Sequence, residues 1–185
     1  ETRLKETAER VNTALDGLLP REHGPEGRLI GAIRYSALSG GKRLRAAFVY
    51  WAWRGRVGYP DGPNGEGPDA PTADRGHPHV IDVGAAFELL QAFALVHDDI
   101  MDDSATRRGR PTVHVAQAAR LTAEGWKGEP RRFGEGVAIL VGDLAFVYAD
   151  QLLAAAPAPA WRVWNELRVE LNIGQYLDIL GTAKS

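Results

Sequence analysis

The stretch from His79 to Met101 constrains the fold most. Read as a helix, Val83, Phe87, Leu90, Ala94 and Met101 form one apolar stripe, and Leu89, Phe93 and Ile100 add a second. A helix that is apolar nearly all round belongs inside a protein. This one ends in Asp98, Asp99, Asp102 and Asp103. Asp98 and Asp102 stand at i and i+4, so both carboxylates share one face a turn apart. Such neighbours repel by about a few tenths of a kcal/mol even in water. The ordinary reading of an acidic helix end is solvated surface. Here, however, the acids cap a buried helix, and Arg107 and Arg108 follow within one short loop. A hard divalent cation would offset the repulsion, because Mg²⁺ takes one or two carboxylates and completes its shell with water and phosphate. Guanidinium groups bind the same phosphates bidentately.

The 185 residues suggest one domain. A formal charge of −2 argues against a general nucleic-acid binder. The absence of cysteine excludes a disulfide framework and a thiolate metal site. No apolar run reaches about 18 residues free of charge, so stable membrane insertion is not expected. No signal peptide is visible, and the expected location is cytoplasmic.

The remaining elements also read as helices. Leu4, Ala8, Val11, Leu15 and Leu18 give residues 2–19 an amphipathic stripe, for core packing or a partner. A second helix is expected over 25–38. Ser39 to Arg45, SGGKRLR, then makes a glycine turn with Lys42 and Arg45 three residues apart. That pattern is common on solvated surfaces, yet amides and cations at a helix start also form an anion site. It lacks the spacing of a P-loop. Residues 55–78, rich in Gly, Pro and Asp, read as a flexible loop ending near His77 and His79, both expected in solvent. Gln91 is a polar residue inside the apolar run, and His97 directly precedes the acids; each has a packing reading and a site reading. Further helices are expected at 112–123, with Thr112 as cap, at 134–156 and at 161–180. Gln175 and Asp178 share a face of the last one. No strand alternation or Asn-Gly hairpin signal stands out, so the fold class is all-α, a bundle of long, mostly antiparallel helices.

Three motifs in order now resemble those of the trans-isoprenyl diphosphate synthases, the polyprenyl synthetase family. They are GGKRLR at 40–45; DDIMD at 98–102 with RRG at 107–109 and PTVH at 111–114; and GQYLD at 174–178. Gly142-Asp143 also fits. The resemblance implies a helical bundle around a central cavity, usually a homodimer, that binds Mg²⁺, with Mn²⁺ as a substitute. It assigns Asp98, Asp99 and Asp102 to the metal that bridges an allylic prenyl diphosphate. Arg107 would hold that diphosphate. Lys42, Arg45, Arg108 and Gln91 would hold isopentenyl diphosphate. Gln175 and Asp178 would face the metals. Large Phe93 and small Ala94 before an uninterrupted DDIMD resemble the pattern of geranylgeranyl diphosphate synthases, with farnesyl diphosphate the next product to consider.

The family also carries a second aspartate-rich motif and, beyond GQ-x-x-D, a lysine–threonine pair. Neither stands between 115 and 185. The expectation is a partial isoprenoid synthase domain over 1–185, with the C-terminal part missing, that is weakly active or inactive alone. Two alternatives are a non-catalytic regulatory subunit of a synthase and a terpene cyclase. An intact DDIMD argues against the first, and Lys42, Arg45 and Arg108 argue against the second.

Overall fold

The computed structural model describes residues 2–21, 23–38, 40–57 and 79–184. Their helices are α1 (Thr2–Leu18), α2 (Gly24–Leu38), α3 (Leu44–Val57), α4 (His79–Met101), α5 (Val113–Ala123), α6 (Pro130–Leu152) and α7 (Ala158–Lys184). The described residues are all-α apart from a hairpin of two-residue strands, β1 (Thr106–Arg107) and β2 (Arg110–Pro111). Two compact units divide at Leu152 and Leu153. Residues 55–57, expected in the loop, continue α3, and the rest of that loop, with His77, lies outside the described residues.

In the first unit α4 is the shared wall, packed by α6, α3, α1, α2 and α5. It is long and apolar enough to cross a membrane, but here it packs against other helices. Its buried positions match the expected stripes at Leu89 and Leu90 and otherwise differ from them. Gly84, Ala85, Ala86, Glu88, Leu89, Leu90, Ala92, Val96 and Asp99 are buried, whereas Met101 is exposed. Small residues let several helices approach α4, so the close contacts fall on its alanines and glycine rather than on its largest side chains. Gly142 of α6 works the same way: a Cβ there would lie 2.3 Å from His97 Nε2.

Val11 and Leu15 of α1 and Leu19 just past its end are buried in the core, while Leu4 is exposed. Leu19 rather than Leu18 completes the stripe, because its amide still bonds to Leu15 O at 3.0 Å. Helix α6 begins earlier than the pattern suggested. Glu129 accepts the Arg131 and Arg132 amides at 3.0 and 2.6 Å, and Pro130 suits the first helical position. The second unit consists chiefly of α7, which tolerates Pro159 in its first turn. Trp164 is buried, with Arg168 Cζ 5.4 Å from its ring centre.

Candidate active site

The acidic end of α4 is built as a left-handed cap. Asp103 has φ 51°. Its amide bonds to Ile100 O at 3.3 Å and the Ser104 amide to Asp99 O at 2.9 Å, which is the Schellman pattern. Carboxylates at a helix C-terminus lie against the negative end of the macrodipole. They therefore need cations. Arg107 supplies one: Nε donates to Asp99 Oδ1 at 2.7 Å and Nη2 to Asp98 Oδ2 at 3.0 Å. Asp99 is 4% exposed. Burial pushes its carboxyl above the ordinary range, against the downward pull of Arg107.

The β1–β2 turn aims the next arginine elsewhere. Arg108 and Gly109 have φ 54° and 73°, the paired positive values of a two-residue hairpin turn. Arg108 Nη1 then donates to Gly40 O at 2.9 Å. The glycine loop and the Arg-Gly turn thus meet across a cavity of about 330 Å³, a volume suited to a small ligand. Thr112 stands at the cap position of α5 but makes no side-chain cap bond. Its hydroxyl goes instead to Ser104 O at 2.8 Å, which closes the loop that carries Arg107 and Arg108.

Of the residues singled out in the sequence, Lys42, Arg45, Gln91, Asp99, Arg107 and Arg108 line this cavity. Asp98 joins them through Arg107. Asp102 is exposed one turn beyond Asp98. Phe93 and Ala94 are not among the described lining residues. Phe93 faces α6, with ring centres 4.8 Å from Phe146 and 4.7 Å from His97, because positions 91, 95 and 99 take the cavity face. Gln175 and Asp178 lie on α7 in the second unit. His97 Nε2 lies 3.1 Å from Ile139 O and 3.6 Å from Asp143 Oδ1. It joins α4 to α6.

Tyr35, Arg43, Glu88 and Arg110 also line the cavity and were given no site role from the sequence. Arg110 Cζ stacks 4.3 Å from the Tyr35 ring centre, and Tyr35 Oη donates to Pro111 O at 3.1 Å. A charged Glu88 inside the apolar run of α4 was the available signal.

Among the described residues no three His, Asp or Glu side chains converge as a closed metal site. The donor set nevertheless fits Mg²⁺. Asp98 and Asp102 are hard oxygen donors at i and i+4, and Mg²⁺ is commonly held by one or two carboxylates plus water and substrate phosphate.

Acids and arginines thus gather at one end of α4, beside a cavity between helices. The polyprenyl synthetase family model matches residues 26–185, and the chain belongs to that family. It is 40% identical over 155 residues to a probable farnesyl diphosphate synthase of Sinorhizobium fredii, covering 82% of this chain and 36% of that protein. It is 31% identical over 182 residues to a geranylgeranyl diphosphate synthase of Methanosarcina mazei, covering 95% and 45%. Its structure resembles the Corynebacterium glutamicum geranylgeranyl pyrophosphate synthase, solved with isoprenyl diphosphate and magnesium. There the TM-score is 0.76 and the identity 32%, covering 98% of this chain and 50% of that one. The chain thus spans half or less of the length of each of these relatives.

Proposed function

We propose that this chain is part of a Mg²⁺-dependent synthase that condenses isopentenyl diphosphate with an allylic diphosphate into a longer trans-prenyl diphosphate. One observation carries the reading. Arg107 and Arg108 are adjacent, yet one reaches the acids of α4 and the other the Gly40 loop, across one cavity. That divergence suits two diphosphates bound side by side. The names of the relatives support the same chemistry.

In this reading Asp98, Asp99 and Asp102 hold Mg²⁺, which would neutralise charge on the departing diphosphate. Arg107 binds the allylic diphosphate. Lys42, Arg45, Arg108 and Gln91 hold isopentenyl diphosphate in line with it. The allylic C–O bond breaks, the isopentenyl double bond attacks the allylic carbon, and the released diphosphate takes the proton lost from the new chain. Apolar walls keep water from the cation. Gln175 and Asp178 take the role that the GQYLD resemblance implies for them, toward the metals and the allylic diphosphate. Large Phe93 and small Ala94 before DDIMD favour geranylgeranyl diphosphate over farnesyl diphosphate as the product, although Phe93 meets Phe146 edge to face outside the described cavity lining. We read the working form as a cytoplasmic homodimer, supported by exposed Ile139, Leu140 and Val147 on α6.

The test pairs the intact mass of the protein from its own source with one condensation assay. Isopentenyl and farnesyl diphosphates with Mg²⁺ should give a C20 product, abolished by chelator. Dimerisation with an active synthase but no condensation by the full-length protein would replace the reading with a regulatory subunit.

A further inference from the structure

Arg43 lies between Lys42 and Leu44 in the glycine loop, yet its side chain turns inward and is 6% exposed. Its backbone adopts φ 48°, a left-handed conformation uncommon for a residue with a Cβ. Two contacts hold it there. Nε donates to Asn12 Oδ1 at 3.0 Å and Nη1 to Glu88 Oε2 at 2.9 Å. Glu88 stands on α4 one turn before Gln91. At the same level α3 meets α4 closely, since a Cβ on Gly84 would lie 3.1 Å from Ala46 Cβ.

The pair is an uneconomical way to gain stability. Arg43 Nη2 and Glu88 Oε1 are buried with no hydrogen-bond partner. Buried ion pairs with loose ends are often matched or exceeded by apolar residues of similar size. Orientation is what the pair does supply. Arg43 ties the loop bearing Lys42, and with it the start of α3 at Arg45, to α1 through Asn12 and to the Gln91 helix through Glu88. It also holds the left-handed backbone that reverses the chain between those two cations. Arg43 and Glu88 both line the cavity.

We infer that the Arg43–Glu88 pair is a positioning device for the isopentenyl diphosphate subsite, aiming Lys42, Arg45 and Gln91 at one ligand. This rests on the function proposed above. The pair sets affinity for the homoallylic diphosphate and leaves the allylic diphosphate, held from the Asp98 side, unaffected.

Calorimetric titration of the full-length protein with isopentenyl diphosphate, which does not react alone, tests it. The variants are Glu88→Gln, Arg43→Lys and the double replacement Arg43→Met/Glu88→Met, each also melted thermally. Each should bind isopentenyl diphosphate about tenfold or more weakly, as when supporting contacts of a site are removed. Affinity for an allylic diphosphate should stay within about twofold, as expected for an independent site. The double variant should melt near the parent, because its buried polar groups are gone. Parent-like binding of isopentenyl diphosphate by the double variant would overturn the inference and reduce the pair to packing. So would equal weakening toward both diphosphates. No binding of isopentenyl diphosphate by the parent protein would overturn the proposed function itself, and the inference with it.

Discussion

Arg107 Nε lies 2.7 Å from Asp99 Oδ1, and the same guanidinium reaches Asp98 at 3.0 Å. One side chain therefore offsets two carboxylates at the negative end of α4. If Asp98 and Asp99 hold Mg²⁺ as proposed, guanidinium and metal would act as alternative counter-charges for the two carboxylates.

Arg107→Gln should accordingly lose about 1–2 kcal/mol of stability in chelator, the range for charge-assisted hydrogen bonds that are partly exposed. Added Mg²⁺ should raise the melting temperature of the variant more than that of the parent. Denaturation with and without Mg²⁺ checks both. An equal Mg²⁺ response in the two proteins would separate Arg107 from the metal.

Asp98 and Asp103 make opposite predictions despite lying in one acidic run. Asp98→Asn should lower condensation by the full-length protein about 100- to 1,000-fold, as for loss of a group stabilising developing charge. Asp103 is exposed and pairs with Arg131 at 3.5 Å, away from Arg107. Asp103→Asn should stay within about threefold of the parent, since exposed ion pairs contribute little. Steady-state rates for both variants, measured side by side, decide the matter.

Gly142→Ala puts a methyl group where His97 lies, 2.3 Å from Nε2. Overpacking of that kind costs about 1–3 kcal/mol. Adding His97→Ala should recover part of the loss. Chemical denaturation of the single and double variants reads the coupling, and simple additivity would mean that the two residues do not meet.

Asp16 accepts hydrogen bonds from Arg34 and Arg21, which hold its carboxyl below the ordinary 3.8. Arg34 also donates to Leu19 O at 2.6 Å, joining α2 to the end of α1. A lowered folded pKa stabilises the fold above the ordinary value and ceases to do so as pH falls through the lowered value. Asp16→Asn should therefore melt lower at neutral pH by no more than about 2 °C, given its exposure. The gap should close in strong acid. A gap that widens on acidification would reverse the assignment.

Much of this was readable in the chain. The apolar run at 79–101 announced a core helix, and DDIMD with RRG announced where acids and arginines would meet. Other features depended on geometry that residue type does not encode. The hairpin at Thr106–Pro111 escaped notice because its left-handed turn uses Arg108 and Gly109 rather than Asn-Gly. Thr112 looked like a cap, but its hydroxyl donates to Ser104 O, eight residues earlier in the sequence. Arg43 resembled its cationic neighbours until its backbone turned it toward Glu88. Phe93 lay in the correct run, but a rotation of the helix set it against Phe146 rather than the cavity.

The left-handed turn at Arg108 and Gly109 also bears on recombination between relatives. Consecutive residues keep separate destinations only while the two-residue spacing of that turn is intact. A chimera joined inside 107–109 with one residue gained or lost would turn a guanidinium away from Asp98 and Asp99 or from Gly40 O and still fold. Junctions at the start of α5, past Thr112, would inherit both addresses unchanged. Libraries built from family members should therefore survive crossovers after the hairpin far more often than within it.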